Sequence, residues 1–180
     1  METVSAAGSP TSKISRDAIG LLDADHRSLL ELFVAYRKLS GHKHKAGSGK
    51  RKALAEQICM ELTIHMRLEE EIFDPPVRSA LHFDDLLDDA EAGHAGAKEL
   101  VAQILSMKPA DELFDAKVTV LGEYFDHHVK EERDEMFPMV RKSGIDLVSL
   151  GEQMRVRRTE LRAVRGMTSA PSSATVSTTK

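Results

Sequence analysis

Apolar side chains recur every three or four residues through most of the chain. Four long segments carry this spacing, at about Arg16–Leu39, Lys50–Phe73, Asp84–Met107 and Glu112–Met136. Such a period places the apolar residues on one face of a helix, and sustained strand-like alternation occurs nowhere. The pattern predicts an all-α fold built from four long helices.

Breaks between these segments are clear. Residues 40–50 contain three glycines, and we expect a solvated loop there, with His42 and His44 as surface residues. Pro75 and Pro76 are expected to end the second helix, because proline has no N–H to donate. Pro138 is expected to end the fourth helix in the same way.

The two ends of the chain differ from its middle. We expect residues 1–13 and 167–180, which are rich in small polar residues, to be disordered. Residues 14–142 would form the bundle. Residues 143–166 would add a short helix, at about Asp146–Val164, packed on or beside it.

Composition narrows the function classes. The formal net charge is only −4, which gives no electrostatic case for binding nucleic acid or an anionic membrane. No apolar run approaches the roughly 18 residues that a membrane span needs, and the N-terminus has no secretory core. The single cysteine, Cys59, cannot form an internal disulfide and is expected to be an inert buried thiol. We therefore expect a cytoplasmic protein.

An internal repeat relates the second and fourth helices. His65 and Glu69 are followed by Pro75, and His128 and Glu132 are followed by Pro138, with the same spacing. Residues four apart lie on one helical face, so each histidine projects beside its glutamate. The first and third helices each place a further histidine, His26 and His94, in register with the apolar stripe.

Two interpretations compete for these residues. A lone pair of this spacing is usually a surface ion pair, and a lone histidine on an apolar stripe is usually a hydrogen-bonded core residue. Here both pairs lie on the apolar stripe, where an unpaired charge is costly to bury. A shared cation removes that cost, and nitrogen and oxygen donors without thiolates suit iron, manganese or zinc. The repeat favours a pair of such ions, as in other bundle-core carboxylate sites.

These elements resemble the hemerythrin-like HHE cation-binding family. The matching segments are ADH (24–26), HMRLEEEIF (65–73), GH (93–94) and HHVKEERDEMFP (127–138). The resemblance implies an up-down-up-down four-helix bundle holding two iron ions joined by an oxo or hydroxo bridge. It places the iron ligands, with both glutamates bridging, at His26, His65, Glu69, His94, His128 and Glu132.

The chain departs from the oxygen-carrying members of that family. Those proteins have a further histidine one turn from the position of His94, where this chain has Ala90 and Lys98. Two six-coordinate ions need about twelve donor bonds, of which the six side chains supply about eight and a solvent-derived bridge about two. About two positions would stay open, which favours reaction with small oxidants over reversible oxygen carriage.

Further ligands remain open from sequence alone. Three residues are candidates for an additional ligand. Asp74 and Glu91 lie at or near positions where many family members have other residues, and Tyr124 lies one helical turn before His128 on the same face.

Three functions fit these residues. The leading one is a di-iron protein that binds or reacts with dioxygen, peroxide or nitric oxide, in protection from stress or in sensing, with a weak catalase-like activity as one form of it. The second is an iron storage or sensing module without turnover, and the third is a bundle with a vestigial site. The redox partner is not indicated by the sequence.

Overall fold

The computed structural model describes residues 17–40, 48–81 and 84–168, and these residues form helices without strands. The expected all-α class is confirmed. The helices are α1 (Ala18–Ser40), α2 (Ser48–Leu68), α3 (Asp74–Leu81), α4 (Asp84–Ser106), α5 (Phe114–Glu131), α6 (Phe137–Val140) and α7 (Leu147–Thr168). Two π-helical turns interrupt them, π1 (Glu69–Phe73) and π2 (Glu132–Met136).

The helices α1, α2, α4 and α5 pack around a core divided into two apolar clusters. On α1, Leu22 belongs to one cluster and Leu29 to the other, with the fully buried His26 between them. On α4, His94 lies in the same way between Leu87 and Ala97. A layer of buried polar residues thus separates the two halves of the core.

Polar pairs between helices fix how the helices run past one another. Near the end of α1, the Tyr36 hydroxyl donates to Asp115 Oδ1, at the start of α5, over 2.6 Å. Near the beginning of α1, Asp23 Oδ1 accepts from Arg133 Nε, in π2, over 2.9 Å.

Prolines do not end the second helix, contrary to expectation. The chain continues from α2 through π1 into α3, and Pro75 and Pro76 lie in the first turn of α3. The Asp74 N–H donates to the Glu69 carbonyl, five residues earlier. The wide turn π1 has already shifted the backbone hydrogen-bond pattern of the helix at this point. The N–H groups that the prolines lack are therefore tolerated here. Helix α6 continues past Pro138 after π2 in the same manner.

The helix α7 packs against α1, α2 and π1. It follows a turn in which Gly144 adopts a φ of 83°, a left-handed conformation that favours glycine. The tail was expected to be disordered from residue 167, but α7 continues to Thr168. The expected disorder of residues 1–13 and of the rest of the tail, and the surface position of His42 and His44, fall outside the described residues. None of the described helices is long and apolar enough to cross a membrane.

Candidate metal centre

The buried polar layer contains the predicted ligands. One donor atom from each of His26, His65, Glu69, His128 and Glu132 lies within 4.8 Å of all the others. These side chains come from α1, α2, π1, α5 and π2, which meet at the centre of the bundle. The geometry matches a cation site of mixed nitrogen and oxygen donors.

The sixth predicted residue, His94, joins this group through Glu69. Its Nε2 lies 3.4 Å from Glu69 Oε2. The same oxygen lies 3.7 Å from His128 Nε2, while Glu69 Oε1 lies 3.2 Å from His65 Nε2. Glu69 therefore faces three imidazoles from three helices.

Glu132 contacts a second pair of histidines in the layer. Its Oε2 lies 3.0 Å from His26 Nε2 and 3.5 Å from His128 Nε2. The rings of Phe125 and Phe137 cover His26, with the Phe137 ring stacked on it at a centroid distance of 5.9 Å. Aromatic rings thus exclude water from this side.

Buried polar atoms without a hydrogen-bond partner test whether a cation fits here. Within the described part of the chain there are nine such side-chain atoms, and all nine belong to the six predicted residues. Buried polar groups are otherwise hydrogen-bonded in native proteins, because leaving one unpaired costs about 1–3 kcal/mol. Iron, manganese or zinc would satisfy seven of these atoms, the four Nε2 atoms and the three glutamate oxygens, so the residues fit a metal; the other two are His26 Nδ1 and His65 Nδ1, on the far side of their rings.

The pKa values of the two glutamates shift in opposite directions. Burial acts to raise the pKa of Glu69, but His65, His128 and His94 outweigh it and hold that pKa well below its ordinary value. Burial and the charge of Glu69 raise the pKa of Glu132 well above its ordinary value. The surroundings therefore favour the charged form of Glu69 and the protonated form of Glu132, whereas a bound cation would favour the charged form of both.

The histidines divide in the same way. Burial lowers the pKa of His26 to about 4 and also lowers that of His65. Burial acts to lower the pKa of His94 and His128 too, but the neighbouring glutamates overcome it and raise both values. His26 and His65 are therefore neutral near pH 7, the form in which imidazole binds a metal.

A second layer of carboxylates lies outside the ligands, and sequence reasoning missed it. His94 Nδ1 lies 3.0 Å from Glu70 Oε1, and Lys98 Nζ lies 2.6 Å from Glu70 Oε2. On the other side, His65 Nδ1 lies 3.8 Å from Asp25 Oδ2. Glu70 and Asp25 adjoin predicted ligands in the sequence, but nothing in the sequence shows which ring each one faces.

The three candidate additional ligands lie outside the five-residue group. Glu91 has a 78% exposed side chain that approaches Arg78, and Tyr124 is 50% exposed. Asp74 is partly buried, and burial together with the charge of Glu69 raises its pKa to about 7. Of the three, Asp74 interacts most directly with the layer.

A cavity of about 700 Å³ reaches the layer between α2, α4 and α5. Ala90, Gly93 and Tyr124 line it together with His94 and His128. A Cβ atom at Gly93 would meet no atom within 4 Å beyond its own helix backbone. The position without the further histidine therefore borders open space beside the predicted ligands.

Comparisons with known proteins agree with this geometry. Residues 17–140 match the family model described as Hemerythrin HHE cation binding domain. The crystal structure of a hemerythrin HHE cation binding domain-containing protein from Mycobacterium kansasii superposes with a TM-score of 0.67 at 24% identity, covering 84% of this chain and 90% of that one. This likeness concerns the fold. No curated protein matches the chain.

Proposed function

We propose that this chain, which belongs to the hemerythrin HHE cation binding domain family, is a non-haem di-iron protein that binds or reacts with dioxygen, peroxide or nitric oxide. The supporting observation is that all nine buried polar side-chain atoms without a hydrogen-bond partner, among the described residues, belong to the six predicted ligands. Two iron ions held there would supply Lewis acidity and redox chemistry toward a small oxidant.

The residues of the layer would divide the work of holding the ions. Glu69, which faces His65, His94 and His128, would bridge the two ions. Glu132 would bridge them from the side of His26. Each glutamate approaches histidines of different helices, so a pair of ions would tie the bundle together at its centre.

An up-down-up-down course of the four long helices is part of the proposal. It is supported by the pairing of Tyr36 with Asp115 and of Asp23 with Arg133, which runs α1 and α5 in opposite directions. The bond from Lys52 Nζ to the Met107 carbonyl, together with the contact of Glu70 with Lys98, gives α2 and α4 opposite directions as well.

Access for a small reactant would run through the cavity beside Ala90 and Gly93. The cavity lining is mainly apolar, with Leu62, Met66 and Phe125 among its residues, and it also includes the exposed His127. A neutral molecule such as dioxygen, nitric oxide or hydrogen peroxide would enter without the desolvation cost of an ion. A cytoplasmic location, and the lack of nucleic-acid and membrane partners, stay predictions.

The chain itself offers a matched pair of variants to test the metal site. His127 and Glu131 have the same spacing as His128 and Glu132, but His127 is 74% exposed and Glu131 40% exposed. Glu132→Ala should remove at least one iron ion per chain, whereas Glu131→Ala should keep two. Iron analysis of both purified proteins, with their near-ultraviolet spectra, gives the answer.

Two results would contradict the proposal. If Glu132→Ala kept two irons with an unchanged spectrum, Glu132 would not bridge. If the unmodified protein held two irons but neither consumed peroxide nor changed its spectrum with dioxygen or nitric oxide, the alternative of an iron storage or sensing module would replace the reactive one.

A further inference from the structure

The helix α7 lies beyond the segment that matches the family model, yet it contacts α1, α2 and π1, the elements that carry three of the predicted ligands. Three arginines of α7 form ion pairs with these elements. Arg157 pairs with Glu71 on π1, Arg162 with Glu61 on α2, and Arg158 with Asp25 on α1.

Of these pairs, only that of Arg158 reaches a predicted ligand. Arg158 Nη2 contacts Asp25 Oδ2, and the same oxygen lies 3.8 Å from His65 Nδ1. Arg158 and Asp25 are each 19% exposed, whereas Arg162 is 53% exposed. His65 is 1% exposed, and its Nδ1 is among the buried atoms without a hydrogen-bond partner in the described residues.

The opposite side of the layer shows the same arrangement at bonding distance. His94 points Nε2 at Glu69, and its Nδ1 lies 3.0 Å from Glu70, whose other oxygen contacts Lys98. His65 likewise points Nε2 at Glu69 and Nδ1 toward a carboxylate that a basic residue holds. In metal sites such outer carboxylates fix the tautomer and the direction of the ligating ring.

We propose that Asp25, held in place by Arg158 of α7, accepts the Nδ1–H of His65 and so positions the Nε2 of this ring toward the metal. Asp25 and Arg158 are positioning residues. Without Arg158, a partly exposed carboxylate on α1 gains more from turning into water than from facing a neutral ring. The helix α7 is then an outer part of the metal centre. This inference rests on the proposed function, since it requires an ion at His65 Nε2.

Iron affinity measures this role without any enzymatic assay. Metal-free protein would be titrated with ferrous iron under anaerobic conditions, in competition with a coloured ferrous chelator. Arg158→Gln and Asp25→Asn should each weaken iron binding by about 10-fold or more, as other losses of an outer partner do. The double variant should bind no more weakly than Asp25→Asn alone, because both changes remove one interaction.

Arg162→Gln is the matched control, because it removes an arginine from the same helix, and its partner Glu61 forms no ion pair with a predicted ligand among the described residues. It should bind iron as the unmodified protein does, while thermal unfolding of the metal-free forms checks that α7 stays docked in both variants. Arg158→Lys keeps the positive charge and should recover part of the affinity.

Equal affinities in Arg158→Gln and Arg162→Gln would overturn the inference, as would an unchanged affinity in Asp25→Asn. If Arg158→Gln alone melted early in the metal-free form, Asp25→Asn would decide, since it leaves every residue of α7 unchanged. An unmodified protein that bound no iron would overturn the proposed function and this inference together. If the unmodified protein bound two irons and the variants bound iron with the same affinity, only the inference would be overturned.

Discussion

Asp74 offers a test of the electrostatics of the polar layer that does not require a metal. This residue follows π1 directly and is partly buried. Burial, and next the negative charge of Glu69, raise its pKa from the ordinary 3.8 to about 7. Asp74→Asn keeps the shape of the side chain and removes its ionisation, so it isolates the cost of charging this position.

The sign and size of the effect of Asp74 on the free energy of unfolding follow from the linkage between proton binding and folding. A group whose pKa is raised in the folded state stabilises the fold below its unfolded pKa, and this stabilisation is lost as the pH rises through the folded pKa. A rise from 3.8 to about 7 corresponds to at most about 4 kcal/mol at about 1.4 kcal/mol per pH unit. Partial exposure reduces this limit, and we expect about 2 kcal/mol between pH 5 and pH 8.

The assay is urea unfolding of chelator-treated protein at pH 5, 6, 7 and 8. Asp74→Asn should become more stable than the unmodified protein as the pH rises, with most of the gain complete just above pH 7. Asp88→Asn, at a 64% exposed position on α4, controls for the loss of one negative charge. If the free energies of unfolding of the unmodified protein and Asp74→Asn ran parallel from pH 5 to pH 8, neither burial nor Glu69 would oppose the charge of Asp74. Iron content of the same variant tests whether Asp74 is an additional ligand.

Three further outcomes are expected. Removing iron should lower the melting temperature, because a ligand that binds only the folded state stabilises it by mass action, and equal melting of the two forms in calorimetry would show that packing alone holds the bundle. Ala90→His places a ring beside the cavity one turn before His94. Measured by oxygen evolution, this variant should consume peroxide more slowly than unmodified protein with equal iron. An unchanged rate would mean that the open coordination position on the metal is already filled. Tyr36→Phe removes the 2.6 Å hydrogen bond to Asp115 and should lower the free energy of unfolding in urea by about 1 kcal/mol, since Asp115 is partly exposed and can turn to water. An unchanged free energy of unfolding would show that water replaces this hydrogen bond without cost.

The layer of buried polar residues could be predicted from sequence because its residues are polar at positions where a helix core is ordinarily apolar. His26, His65 and Glu69 interrupt apolar stripes at core positions, and the structure buries all three to 1% exposure or less. The exposed pair His127 and Glu131 has the same spacing, and only its place off the stripe separates it from His128 and Glu132.

The second layer of carboxylates, outside the ligands, had no such signal in the sequence. Arg158 and Asp25 are 133 residues apart, and each looks like one of many charged residues on a helical surface. Which arginine of α7 meets which acid depends on how α7 packs across α1, a matter of tertiary contacts that helical periodicity does not encode.

The repeated prolines carried a signal of a different kind from the one expected. In an α-helix a step of four residues advances about 40° beyond a full turn, so core positions cannot follow one another every four residues for long. Yet the buried residues after each ligand pair do so, at Glu69, Phe73 and Val77 and again at Glu132, Met136 and Val140. A π-helical turn, which holds more residues than an α-helical turn, keeps them on one face, and the carbonyl groups of Glu69 and Glu132 accept the wide bonds from Asp74 and Phe137. Each glutamate therefore begins a wide turn, and the proline after it lies where a missing N–H is tolerated. The spacing from glutamate to proline that suggested a helix end instead marks the turn that lets a buried glutamate and the core beyond it share one face of the bundle.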